Sequence, residues 1–399
     1  MSLNSFPSFS WVAGEVMNEN QRLSLNRRDF LRSTIGATTS LICSYPLHAL
    51  AASRTARQKA IIITFGGGAR DDETFSIDGQ QYIPNLLNTL APQSCFFTQV
   101  INRGILGHYV ATASIATGAY ETFDNFVAQP PAHPTIFEYF RKDLRRPRED
   151  AWFIAPGNLF RQMGASQNRR YGPDAGAEVI LPKQLLAAAL GGTTALELDA
   201  YPDLLRDNYE RPDMAANPVG TPGREEMEQI IHRLDLSPAD LRRAAATLHS
   251  PDELSFYMTK HVMRTFAPSL IFLTLHDIDV AHSGAYSLYL EGIRRTDGLC
   301  AEMWAEIESN PEYKDKTTLF IMPDFGRDGD KDSGGNGFQH HRTGSASART
   351  TWMMALGPAV RQKTIVERPI ESIDLAAAVS SVLGFDGRLV QGKPIPELA

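Results

Sequence analysis

Apolar residues in this chain fall into short, unbroken runs separated by longer stretches of helical period. Ala60–Phe65, Cys95–Ile101, Ala151–Ala155, Ser269–Leu275, Thr317–Met322 and Trp352–Leu356 are runs of that kind, rich in Ile, Phe, Leu and Met. Such runs read as strands buried on both faces, because a strand with one wet face would alternate. Between them, apolar residues recur three to four positions apart at Tyr82–Leu90, Thr135–Leu144, Ser255–Phe266 and from Tyr286 past Trp304, which predicts helices, and another is expected to begin near His108 and stop at Gly118. Ile370–Leu383 has the same period and stops at Gly384. Strand and helix alternate from about residue 58 to the end. That order predicts an α/β fold with a doubly wound, mostly parallel sheet and helices on both faces.

Two regions break the pattern. From about 157 to 250, Pro, Gly, Asn and Arg are frequent and helices are islands (Leu181–Leu190, Arg224–Leu234, Pro238–Leu248), which reads as a helical, cap-like insertion over the strand ends. Residues 1–51 carry Asn26-Arg27-Arg28-Asp29-Phe30-Leu31, a weakly apolar run from Ser33 to Leu50 and the small-x-small triplet Ala49-Leu50-Ala51. This resembles a twin-arginine export signal, and implies passage through the twin-arginine machinery to the periplasm. The run is too short and too rich in Ser and Thr for a transmembrane anchor.

The net charge of −7, with no run of Lys or Arg, argues against a nucleic-acid partner. Beyond the leader two cysteines remain, Cys95 in a strand and Cys300 on a helix, and both read as buried thiols rather than a pair.

The chemistry gathers where strands end. Ser269–Leu275 gives way to Asp277, Asp279 and His282. Ala60–Phe65 breaks into Gly66-Gly67-Gly68 and then Asp71 and Asp72. Cys95–Ile101 leads to Arg103, Gly107 and His108, and Thr317–Met322 leads to Asp324 and Arg327, with His340 and His341 in the loop that follows. In an open α/β sheet, ligands sit outside the carboxyl ends of the strands. Carboxylate oxygens and imidazoles converging there suit a divalent cation, zinc before manganese, iron or calcium, as one ion or two. The helix starting near His108 is expected to turn free N–H groups toward an anion. Arg327 or Arg103 could hold an anionic oxygen bidentately, and Thr112, further along that helix, is a candidate hydroxyl nucleophile. Asp297, on the apolar face of its helix, is expected to bond something buried.

The order of these motifs resembles the alkaline-phosphatase superfamily. HDIDVAH before a helix, FIMPDFGRD, the later His340-His341 before TWMMALGPAV, and the closing IDLAAAVSSVLGF…VQGKPIPEL carry the resemblance. The Gly-rich opening and the Gly-His-Tyr segment look more like the exported, sulfatase-like DUF1501 group than the well-studied enzymes. The resemblance implies an exported, metal-dependent hydrolase of a small anionic phosphate or sulfate ester. It also exposes departures. The position where the family carries its Ser, Thr or formylglycine nucleophile holds His108, which reads as a replacement metal ligand, a phosphohistidine nucleophile, or a helix-start residue with no chemistry. Gly66 stands where the family has a metal Asp, and Phe325 where it has a metal His. A vestigial-site binding or assembly protein of the cell envelope on the same fold is therefore the alternative.

Overall fold

The structure, a computed structural model, describes residues 58–189, 224–332 and 334–398. The arginine pair and its cleavage triplet lie outside the described residues, as does the middle of the expected insertion.

One nine-stranded sheet organises the chain. Its strands are β1 (Lys59–Thr64), β2 (Cys95–Ile101), β3 (Ala151–Ile154), β4 (Glu178–Ile180), β5 (Leu270–Thr274), β6 (Thr317–Met322), β7 (Thr350–Leu356), β8 (Thr364–Val366) and β9 (Ile370–Glu371). The spatial order is β4-β3-β5-β1-β6-β7-β2-β8, with β9 paired to β2. Pairings are parallel except where β7 meets β6 and β2. Because β7 runs the other way, its amino end lies at the edge where the other strands finish.

The helices used below are α1 (His108–Thr117), α2 (Ile136–Asp143), α3 (Pro182–Ala189), α4 (Arg224–Arg233), α5 (Pro238–Ala245), α6 (Pro251–Phe266) and α7 (Tyr286–Ser309). A single turn, Ala346–Arg349, precedes β7, and α8 (Asp374–Leu383) closes the chain. Successive strand residues split between two cores, as the two-residue period of a strand requires. Ile61, Ile63, Ile271, Leu273, Leu319 and Ile321 face one, beneath α6 and α7, and α3, α4 and α5 pack on the same side. Ala60, Ile62, Phe272, Phe320 and Met322 face the other, beneath α1, α2 and α8. The doubly wound arrangement is thus observed directly.

Of the details that differ from the sequence expectation, two bear on the sheet. The closing helix begins at Asp374, four residues late, because Ile370 and Glu371 pair with β2 and the Asp374 carboxylate accepts the Glu371 N–H at 2.8 Å. The stretch read as an insertion also supplies β4, an edge strand of the main sheet. Cys95 and Cys300 are buried, free thiols. No helix among the described residues is long and apolar enough to cross a membrane.

Candidate metal centre

The tips of β5, β1 and β6, three adjacent strands, set the site. After β5 the chain turns into a seven-residue 3₁₀ helix, Asp277–Ser283, with His276 at its cap. A 3₁₀ helix repeats every three residues and is uncommon at this length. His276, Asp279 and His282 therefore share one face, and Asp277 is turned off it. Asp277 instead bonds Arg295 at 2.9 Å and accepts the Asp252 N–H at the start of α6. The Asp252 carboxylate in turn accepts the N–H groups of His276 and Asp277, at 2.7 and 2.8 Å, so this exchange pins the β5 tip to α6.

Asp279 is the centre of the site. It is 1% exposed. Its Oδ1 lies 2.8 Å from His108 Nε2, 2.7 Å from Arg327 Nη2 and 3.4 Å from His282 Nε2. Its Oδ2 lies 3.5 Å from His276 Nε2. Burial disfavours its charge, but His108, His276 and Arg327 hold the carboxyl well below the usual range. His108 opens α1 and bonds a second carboxylate, Asp324 Oδ2, through Nδ1 at 2.6 Å. Burial again opposes charge there, yet the two carboxylates raise the imidazole to about 9. Phe325 is buried and lies 4.7 Å from the His108 ring and 4.6 Å from that of His341, forming an apolar wall for both.

His341 comes from the loop between β6 and β7. Its Nδ1 lies 2.8 Å from the Leu106 carbonyl, which can only accept, so this nitrogen carries the proton and Nε2 a lone pair. That Nε2 is 2.7 Å from His282 Nε2. Both imidazoles are kept neutral, His341 pushed down to about 2 and His282 to about 4, chiefly by burial and then by the positive neighbours. With both rings neutral, His282 in its Nε2–H tautomer can donate to the His341 lone pair, and a cation placed between the rings would take the two lone pairs in place of that hydrogen. His108, Asp279, His282 and His341 offer ligand atoms all within 4.8 Å of one another. Three imidazoles and a carboxylate suit zinc, and the Asp324 and Leu106 bonds are the outer contacts that orient metal-binding histidines. The residues present fit a divalent ion.

The other sequence candidates are placed as follows. Asp324 touches His108 and sits one shell out from the group. His340 is half-buried, with its carbonyl accepting the Asp328 N–H at 2.8 Å. Asp71 is half-buried, its carbonyl accepting the N–H groups of Thr74 and Ser76. Asp72 is exposed, 3.8 Å from Arg70. Thr112 lies one turn into α1 and is 1% exposed. Arg103 reaches outward to Glu371 at 2.8 Å. Asp297 accepts the N–H groups of Asn85 and Leu86 and so caps a buried turn. The free N–H groups expected at the start of α1 are a correction: Asn125 Oδ1 accepts those of Tyr109 and Val110, at 3.1 and 3.5 Å, leaving no such pair for an anion. A Cβ at Gly107 would meet that amide at 2.4 Å, so a larger residue there would displace the cap. His276 was missed by the sequence reading. Its signal was the spacing of three through Asp279 to His282, visible only if the segment is read as 3₁₀ rather than loop.

Comparison with solved structures places this architecture. The phosphonate monoester hydrolase SpPMH from Silicibacter pomeroyi is similar with a TM-score of 0.53 and 15% identity, over 86% of this chain and 76% of that one. A sulfatase, PsFucS1 from Pseudoalteromonas sp., is similar at 0.52 and 11% identity, over 94% and 76%. A protein in the alkaline phosphatase superfamily from Vibrio parahaemolyticus is similar at 0.51 and 13% identity, over 92% and 79%. The fold is that of the alkaline phosphatase superfamily. No family model and no curated protein matches the sequence. Within this fold the family-like segments take defined places: the HDIDVAH segment is the 3₁₀ turn, and PDFGR supplies Asp324, the Phe325 wall and Arg327.

Proposed function

We propose that the protein is an exported, metal-dependent hydrolase of phosphate or sulfate esters. The observation that carries this reading is the convergence of His108, His282 and His341 Nε2 with Asp279 Oδ1 at the carboxyl edge of an alkaline-phosphatase-like sheet. These residues would hold one divalent ion, zinc by preference, which with a further coordination position open to substrate would polarise an ester oxygen and activate water. Asp324 fixes the His108 ring, the Leu106 carbonyl fixes the His341 tautomer, and Phe325 keeps water from one side of both rings. Export follows from the resemblance of residues 1–51 to a twin-arginine leader.

The test is turnover of p-nitrophenyl phosphate, its diester and p-nitrophenyl sulfate by protein purified without a His tag, before and after chelation. Activity should vanish on chelation, return with zinc, and be absent from D279A. Turnover that survives chelation would overturn the reading.

A second reading has its own support. The start of α1 carries His108 rather than a hydroxyl, and the nearest candidate on that face, Thr112, is closed off from solvent. A binding or assembly protein would retain the ion and turn over no ester.

A further inference from the structure

Among the described residues Arg327 is the largest charged side chain that is fully buried, with no side-chain exposure at all. Four of its five N–H donors are committed. Nε donates to the Gly68 carbonyl at 2.8 Å, Nη1 to the Phe338 carbonyl at 3.1 Å, and Nη2 to the Gly67 carbonyl and to Asp279 Oδ1, the latter at 2.7 Å. The Tyr289 ring lies 5.8 Å from the guanidinium, and the Tyr289 hydroxyl bonds Glu73 behind it. The one remaining Nη1 hydrogen sits on a side chain with no exposure, so the bidentate grip on a substrate oxygen that the sequence suggested is not available. The guanidinium serves the protein itself.

The glycine turn is built around this cation. Gly66 is packed so that a Cβ would fall 1.2 Å from the Leu275 carbonyl oxygen, which leaves no room for a carboxylate side chain at the β1 tip. Gly67 and Gly68 have φ of +101° and +71°, and their carbonyls accept from Arg327. The β1 tip therefore presents neutral oxygens to a fixed positive charge. Asp71 and Asp72, the nearest carboxylates along the chain, are not among the four groups that converge.

We propose that Arg327 is the resident cation of the site. It fills the β1 side of Asp279, so the centre accepts one divalent ion and not two, and it positions Asp279 so that the remaining lone pair of Oδ1 faces the three histidines. A carboxylate oxygen has two lone-pair directions, which lets one be held by arginine while the other meets the ion. An arginine is always charged, so the block is permanent. This rests on the metal-centre reading above.

Zinc titration of chelator-stripped, full-length protein tests it, with bound metal counted by plasma mass spectrometry. One zinc per chain is expected. Two per chain would overturn the inference and leave the metal-centre reading standing; none would overturn both. R327M should weaken zinc about 10- to 100-fold, the size seen when an outer partner of a ligand is lost. R327K, which keeps the charge but not the fork, should recover part of that loss. The visible spectrum of the cobalt-substituted protein gives a readout that a packing role alone would not move: it should change in R327M and return toward wild type in R327K. Unchanged zinc affinity and cobalt spectrum in a folded R327M protein would overturn the positioning role. Should R327M not fold, the wild-type stoichiometry still decides between one ion and two.

Discussion

His282 Nε2 and His341 Nε2 face each other at 2.7 Å, and neither imidazole is charged at neutral pH. Either one ring donates to the other or an ion bridges both lone pairs, so removal of either ring should cost the loaded protein more than the empty one. H282A and H341A are expected to weaken zinc by at least about tenfold each, the lower bound for an outer-shell loss. Thermal unfolding of the chelated protein should fall by less than that of the zinc-loaded protein, because only the loaded one also loses a ligand. Calorimetric titration beside thermal melts of stripped protein checks both halves. Equal destabilisation with and without zinc would show that the pair is ordinary packing.

Asp277 and Asp279 are two residues apart and are expected to behave differently. D279N removes the negative charge and one oxygen of the carboxyl that meets His108, His282 and Arg327, so bound zinc should be lost. D277N instead weakens the Arg295 bond and the clasp to α6, leaving the converging atoms untouched. It should cost about 1–3 kcal/mol, the range for a damaged buried hydrogen bond to a charged group, with zinc still bound. Metal content of the two purified variants separates them. D277N protein that is folded but metal-free would reverse the assignment.

The ion pairs that His108 makes in the empty site should be lost in base. His108 is raised from 6.5 to about 9 by Asp279 and Asp324, against the penalty of burial. A group whose folded pKa lies above its unfolded value stabilises fully below the unfolded pKa and loses that contribution as pH rises through the folded one. The metal-free protein should therefore lose about 3 kcal/mol between roughly pH 6.5 and pH 9, at ~1.4 kcal/mol per tenfold change in proton affinity. Urea unfolding of stripped wild type and H108Q across that window is the check. The two curves should converge toward about pH 9, and parallel curves would contradict the internal ion pair.

The fold was legible because its central strands are buried on both faces, and β2 and β6 have the ends that their apolar runs suggest. β4, β8 and β9 escaped because two or three residues at a sheet edge carry no period. The site was legible as a region but not residue by residue. Asp277 against Asp279, and His340 against His341, differ only in which side of a turn they occupy, and turn geometry is set by contacts far away in the chain. His276 needed the 3₁₀ period to be seen. Arg327 read as a substrate clamp, since nothing in the sequence says that the carbonyls of Gly67 and Gly68, some 260 residues earlier, would take its donors. The Asn125 cap on α1 is non-local in the same way.

Loading the site must displace a proton. In the empty protein His108 bonds carboxylates through both ring nitrogens, Asp279 at Nε2 and Asp324 at Nδ1, and at neutral pH it is an imidazolium. An imidazole binds an ion only through a deprotonated nitrogen, so Nε2 has to give up its hydrogen while Nδ1 keeps the bond to Asp324. His282 and His341 are already neutral and contribute no proton. Zinc binding near pH 7 should thus release about one proton from the protein, and zinc affinity should rise about tenfold per pH unit until it levels near pH 9. Calorimetry in buffers of different ionisation enthalpy counts the proton, and D324N sharpens the result. With one carboxylate fewer the His108 proton is held less tightly, so the variant should release less than one proton at pH 7. It should still bind zinc more weakly, about 10- to 100-fold, because the ring has lost the partner that aims it. Release of a full proton by D324N, with zinc affinity unchanged, would place Asp324 outside the working of the site.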